Sequence, residues 1–350
     1  MHDPHRSPRM AAFPCWLLAF YLAWASIVAL GGWWPSVRSH WPISAAMAGG
    51  SFVAGSSPVA GGVVGFPVLV YAFDYPARLG RDFCLAVQSV GLASAGLYIL
   101  TRRRPVEWRI LRFAMAGAAL GMPLGLAFVA PRVSDARVKV LFSIVYASFG
   151  LLHLARMRGI IANVGPLRIR FAADPGIGVA VGFAGGLLAS ILGVGAEILL
   201  YGLLALLYHA DVKAAIPTAV LLMAFTSIVG MACRLLSPDA APMIAQIAPS
   251  WLAAAPVVVL GAPVGSFVAR FVRRPALLGF VSLLCLAQYA FTCYHNHLAG
   301  WPLTLAIAGV LAVNLALHLL FEFGRRALLH QAGADARTPP AAVATPLTGA

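Results

Sequence analysis

In the run LLASILGVGAEILLYGLL (187–204), one carboxylate stands alone: Glu197 follows Gly193 and Gly195 in a segment that is otherwise apolar. An acid at the centre of a bilayer costs on the order of 3 kcal/mol on insertion scales. Each glycine inside a helix costs roughly 1 kcal/mol more. Irregular backbone at membrane depth is tolerated only where protein buries it or where it lines a wet cavity. A helix restarting there presents N–H groups and the positive end of its dipole, which attract anions. Glu197 itself has two readings. It is a buried acid held by a hydrogen bond in the core, or a proton carrier coupling transport to a proton gradient, as intramembrane acids commonly are.

A second run has the same character. GSSPVAGG (55–62) interrupts an apolar region and offers Ser56, Ser57, Gly61 and Gly62. Pro58 suits the first turn of a restarted helix, with Ser57 as its N-cap. At the other break Ser190 joins Gly193 and Gly195. Polar residues on the following spans complete the substrate-binding candidates: Gln88 and Ser89 in one half, Thr218, Thr226 and Ser227 in the other. The alternative is that these small residues only let helices pack closely. Breaks at matching places in both halves favour a site.

Other chemistry-bearing residues read more plainly. Arg78, Arg81 and Asp82 begin a span and read as solvated interface charges. His153 and His318 lie on apolar runs without a second ligand at metal-site spacing, and read as packed residues. Cys15, Cys84, Cys233, Cys285 and Cys293 form no C-x-x-C pair. Neither H-E-x-x-H nor G-x-S-x-G occurs. No catalytic residue, metal or cofactor is therefore expected, and a membrane-embedded enzyme is the weaker reading.

The elements that position these residues are membrane spans. Of 350 residues 61% are hydrophobic and 10% charged, against roughly 25% charged in soluble domains. The formal charge of +14 lies in short loops between apolar runs, which fits the positive-inside bias of cytoplasmic loops better than a nucleic-acid partner. Eight runs suit one crossing each: 12–34, 83–101, 110–130, 138–156, 214–236, 251–271, 275–294 and 301–323. The first is too long for a cleaved signal's apolar core and is expected to remain as a span. Regions 42–73 and 176–208 fit less well. As one straight helix the second would be about 50 Å long, against a hydrocarbon core of about 30 Å. Each is expected to be a broken hairpin that returns to its own side. With a cytoplasmic N-terminus, that arrangement puts 18 of 25 Lys and Arg inside and 7 outside. Single crossings would give 14 and 11, barely a bias.

The halves resemble each other. LGMPLG (120–125) returns as LGAPVG (260–265), and further upstream Gly61 falls on Gly195, Val64 on Ile198 and Gly96 on Gly230. Each unit makes three crossings besides its hairpin, an odd number, so the units should be inverted, with a site at the midplane between them. The expected fold is an all-α integral membrane protein of duplicated units. Residues 1–41 form a tail and first span, 42–156 unit one, 157–174 a basic cytoplasmic linker, 175–294 unit two and 295–331 the last span. The polar stretch 332–350 is expected to be disordered. The expected location is the cell (plasma or inner) membrane, with both termini cytoplasmic.

AGGLLASILGVGAE (184–197), DVKAAIPTAVLLMAFTSIVG (211–230) and LGAPVGSFVARFV (260–272) resemble the TauE/SafE sulfite exporter family of permeases. AGSSPVAGGVVGFPVLVYAF (54–73), LGMPLG and RVSDARVKVLFSIVYASFGLLHL (132–154) are similar in the first half. The resemblance covers about 42–294. It implies duplicated halves that move sulfite, sulfonates and related organic anions across the cytoplasmic membrane. The family's glycine-rich break usually continues with glycines where this chain has Ala196 and Glu197. The expected function is a secondary transporter of a small, sulfur-containing anion. Its partners would be that substrate and the lipid bilayer, with no nucleic acid. A channel or a non-transporting membrane subunit is the alternative.

Overall fold

A computed structural model describes residues 7–59, 61–165, 171–296 and 300–335. Among them every regular element is helical. In chain order these are α1 Ser7–Leu30, α2 Trp34–Ser39, α3 Trp41–Ser56, α4 Gly62–Pro67, α5 Ala77–Thr101, α6 Trp108–Leu124 and α7 Asp135–Ala162. There follow α8 Asp174–Leu192, α9 Ala196–Gly202, α10 Val212–Leu235, α11 Ala240–Val268, α12 Arg274–His295 and α13 Trp301–Asp335. Helices α4, α6 and α9 each run on into a wider π turn, at Val68–Ala72, Gly125–Val129 and Leu203–Leu207.

Among the described residues 9 helices are long and apolar enough to cross a membrane, one more than the sequence runs suggested. The ninth is α8. The break in 176–208 lies late in the region, so its first arm keeps 19 residues, about 28 Å of helix. Both broken regions are hairpins. In the first, Gly61 packs against Gly50 and Ala54 while Gly65 meets Met47. In the second, Gly195 meets Leu188 while Ala196 meets Gly185. Partner numbers fall as chain numbers rise, so each return arm is antiparallel to the first. The Tyr208 hydroxyl donates to Asp174 Oδ1 and ties the two ends of the second hairpin together.

Two boundaries differ from expectation. Helix α11 starts at Ala240, well before the apolar run at 251, and contains Pro249, Pro256 and Pro263. Proline has no N–H for the carbonyl four residues earlier, and other helices supply the donor. Trp24 Nε1 donates to Leu252 O at 2.9 Å, and Ser94 Oγ donates to Val259 O at 2.8 Å. Helix α13 continues to Asp335, four residues into the stretch expected to be disordered. The rest of that stretch, 336–350, lies outside the described residues, as do Arg168 and Arg170.

Helix contacts recur in pairs. Helix α6 lies along α8, and α11 along α3. In the first pair Gly117 touches Val179 and Gly121 touches Phe183. In the second Gly261 touches Ser51 and Gly265 touches Phe52. Both pairs are parallel, and glycines let the backbones approach, as is usual between membrane helices. Helix α5 runs antiparallel to α10, with Gly96 at Leu221 and Gly230 at Leu85. Helix α7 likewise opposes α12, with Gly150 at Ser282 and Gly279 at Met157. The outer helices α1 and α13 present apolar side chains such as Leu18, Leu22, Leu311 and Leu315 to the surroundings.

Candidate functional site

Helix α3 stops because Pro58 follows Ser57. A residue before proline is driven to extended geometry, and Ser57 has φ −138° and ψ 164°. The sequence reading made Ser57 the N-cap of the restarted helix. Instead it closes α3, its N–H and Oγ both donating to Val53 O, at 3.0 and 2.8 Å. Ser56 Oγ donates to the same carbonyl at 3.2 Å. Helix α4 begins only at Gly62, after Gly61, and has no side-chain cap. Gly61 has close neighbours on α3 and Gly62 one in the second break, and Gly61 has φ −69°, so their role here is contact, not unusual backbone. The Tyr146 hydroxyl, from α7, donates to Val59 O within this break at 3.3 Å.

The second break is made by backbone geometry that favours glycine. Gly193 has φ +76° and Gly195 φ +115°. The Gly193 N–H closes α8 by donating to Ala189 O at 2.7 Å, the usual left-handed helix ending. Glu197 then folds back on its own helix start, where Oε2 accepts the Gly195 N–H at 2.9 Å. A carboxylate at a helix N-terminus is favoured by the dipole. The anion-attracting end expected at this break therefore already holds the protein's own acid. Glu197 is 1% exposed and makes no ion pair among the described residues.

The two breaks touch. A Cβ on Gly62 would lie 2.2 Å from Val194 Cγ1. Gln88, near the middle of α5, is tied to the second break: its Nε2 donates to Gly193 O and to Cys84 O on its own helix, both at 2.9 Å. It also lines a small cavity with Gly61, Ser51 and Ala262. Because both partners are carbonyl oxygens, which only accept, the amide orientation is fixed. That leaves Gln88 Oε1 as an acceptor, and among the described residues neither it nor Glu197 Oε1 has a hydrogen-bond partner, though both are buried. Buried polar atoms are normally satisfied. Two free acceptors beside one break suit a proton or another donor.

The remaining candidates divide. Ser190 is fully buried at the second break, its Oγ donating to Leu187 O. Thr226 is buried but donates to Leu222 O on its own helix, and Ser227 Oγ is buried without a hydrogen-bond partner among the described residues. Ser89 turns away into an apolar groove with Trp251, Met231 and Ile244. Thr218 accepts the Glu107 N–H in the loop before α6 and donates to Ala214 O. Burial there pushes the Glu107 carboxyl up, while Arg109 draws it down. His153 is a core residue, its Nδ1 against Phe149 O and its Nε2 facing Tyr201 OH. His318 lies against Arg156.

Arg81 and Asp82 are not solvated. Asp82 is 1% exposed and sits between Arg81, at 2.8 Å, and Arg234 of α10, at 3.1 Å. Arg81 Nη1 also reaches Ser190 O at 3.5 Å. The start of α5 is thus inside the protein, packed on Gly193. Sequence reasoning missed this cluster and Tyr146. The hint for the cluster was an acid between two arginines 153 positions apart, which spacing along one helix cannot reveal.

Compared with known proteins, residues 43–292 match the family described as Sulfite exporter TauE/SafE. No curated protein and no solved structure matches the chain. The matched segment takes in both hairpins and the helices α5, α6, α7, α10, α11 and all but the end of α12, whereas α13, which packs on Leu203–Leu207 at the end of the second hairpin, lies outside it. With 9 candidate spans among the described residues, the protein is a multi-pass membrane transporter, and the chain belongs to the sulfite exporter TauE/SafE family.

Proposed function

We propose that this protein is a secondary transporter of a small sulfur-containing anion such as sulfite or an organosulfonate, built from two inverted units, 42–156 and 175–294. The contact between the two breaks, Gly62 against Val194, carries the reading. Interrupted helices that meet at a repeat interface are where secondary transporters hold their substrates. The antiparallel packing of α5 on α10 and of α7 on α12 supports inversion. Helices related by a two-fold axis in the membrane plane must run in opposite directions.

The substrate would lie between the breaks, against Ser56, Ser57, Gly61, Gly62, Gln88, Ser190, Gly193 and Gly195. Glu197 is the proposed proton carrier. Protonation would remove its charge and release the Gly195 N–H, and both changes favour an arriving anion. The arginine-rich loops would face the cytoplasm, with both termini on that side.

Counterflow in liposomes tests the reading. Vesicles loaded with unlabelled sulfite should accumulate radiolabelled sulfite transiently above equilibrium, which a channel does not do. Taurine and small carboxylates tested in the same way define the class. Absence of counterflow with every sulfur anion would overturn the assignment.

A further inference from the structure

Between the loop before α6, the start of α10 and the turn joining α11 to α12 lies a partly open cavity. Ile99, Ile216, Pro217 and Val220 give it an apolar wall, and it extends to Gly55, next to the last residue of α3. Its charged groups are all cationic: Arg104, Lys213, Arg270 and Arg274. Two acids lie nearby, and neither lines it. Asp211 is held by Arg274 Nη2 at 2.9 and 3.1 Å, and Glu107 is in the loop beside Thr218. Once Arg274 is neutralised, three positive charges remain.

Those charges are positioned in different ways. Arg104 Nη2 donates to Ser266 O at 2.8 Å, and Ser266 Oγ donates to Gly55 O at 2.7 Å. The guanidinium is thereby linked to the last turn before the first break. Arg270 lies over the rings of Phe267 and Phe271, 4.2 Å from each. Lys213 makes no ion pair among the described residues. At the far end of α5 and α10 there is instead the Arg81–Asp82–Arg234 cluster, whose side chains are 10%, 1% and 17% exposed.

We infer that this cavity is the vestibule through which an anion reaches the first break, and that the structure is open at its arginine-rich end and closed at the end sealed by Asp82. The inference rests on the transporter reading above. A cleft lined by one sign of charge with low-dielectric walls concentrates counter-ions about 10- to 1,000-fold. Here the concentrated species is any small anion, and the apolar wall supplies no competing carboxylate.

The test uses the full-length protein in detergent, with its native cysteines replaced and Ala269→Cys introduced on the vestibule wall. Its reaction with an anionic sulfonatoethyl thiosulfonate is compared with that of the cationic trimethylammonium analogue. Each rate is normalised to a free thiol. The anionic reagent should react about tenfold faster. Lys213→Gln with Arg104→Gln, or added salt, should bring the ratio towards one. Trp301→Cys, at the opposite end, should show no preference. Val272→Cys, another wall position, replaces Ala269→Cys should that variant not fold. A ratio at or below that of Trp301→Cys, or one that Lys213→Gln with Arg104→Gln leaves unchanged, overturns the vestibule. A preserved ratio with failed sulfite counterflow would retain the vestibule and remove the substrate assignment. Successful counterflow with a flat ratio would do the reverse.

Discussion

Gly62 and Val194 are in van der Waals contact, so tightly that a methyl on Gly62 would come within 2.2 Å of the valine side chain. The first residue of α4 and the middle residue of the second break thus meet across the two halves of the chain. Nothing larger than glycine fits at 62 without pushing the breaks apart.

Gly62→Val should therefore abolish transport, at least tenfold in initial rate, while the protein still inserts. Overpacking of this kind costs about 1–3 kcal/mol, so a folded but inactive variant is the expected result. Gly176→Ala is the control, because a Cβ there meets nothing within 4 Å. Wild-type counterflow in Gly62→Val would show that the contact is not part of the transport site.

Glu197→Gln keeps the shape of the side chain and removes its titration. Counterflow should survive, whereas accumulation driven by an imposed pH gradient should be lost, together with the pH dependence of the rate. A purely structural acid predicts lower protein abundance and an unaltered pH profile. Measuring both modes in the same liposomes separates these outcomes.

Asp82→Asn leaves Arg81 and Arg234 in the protein without their shared carboxylate. Removing one partner of a buried charge cluster costs about 3–5 kcal/mol, and Asp82 is 1% exposed. The thermal unfolding temperature in detergent should fall by several degrees, and Asp82→Glu should recover part of the loss. Unchanged stability in Asp82→Asn would mean that the arginines are satisfied by other groups.

Single cysteines at Arg103 and Trp301 test the orientation. In intact cells an impermeant thiol reagent should label Trp301→Cys and spare Arg103→Cys, because the basic loop is placed on the cytoplasmic side. Labelling of both from outside would remove the inverted arrangement.

Span positions were legible because long apolar runs leave few alternatives in lipid. The glycine breaks were legible at Gly193 and Gly195, where two glycines stand shortly before an acid in an apolar run. The first break was read with the wrong register at Ser57, since proline signals that a helix ends without saying where the next one starts. The charge cluster of Arg81, Asp82 and Arg234 was read as solvated for a related reason. A residue's place along its own span says nothing about the helices packed around its end.

By itself, then, the sequence determined that the chain enters the membrane many times, that two of its helices are broken, and that an acid stands beside one break. Those properties depend on local composition and on the cost of unsatisfied backbone in hydrocarbon. The tertiary structure decided that the breaks touch, that Gln88 ties α5 to the second of them, and that Glu197 covers its own helix start. It also decided that Arg104, Lys213 and Arg270 converge on one cavity. Apart from the local turn of Glu197, these relationships reach across more than a hundred positions of the chain, from Gly62 to Val194 and from Gln88 to Gly193, and in a membrane they are set by which small-residue faces allow two backbones to approach.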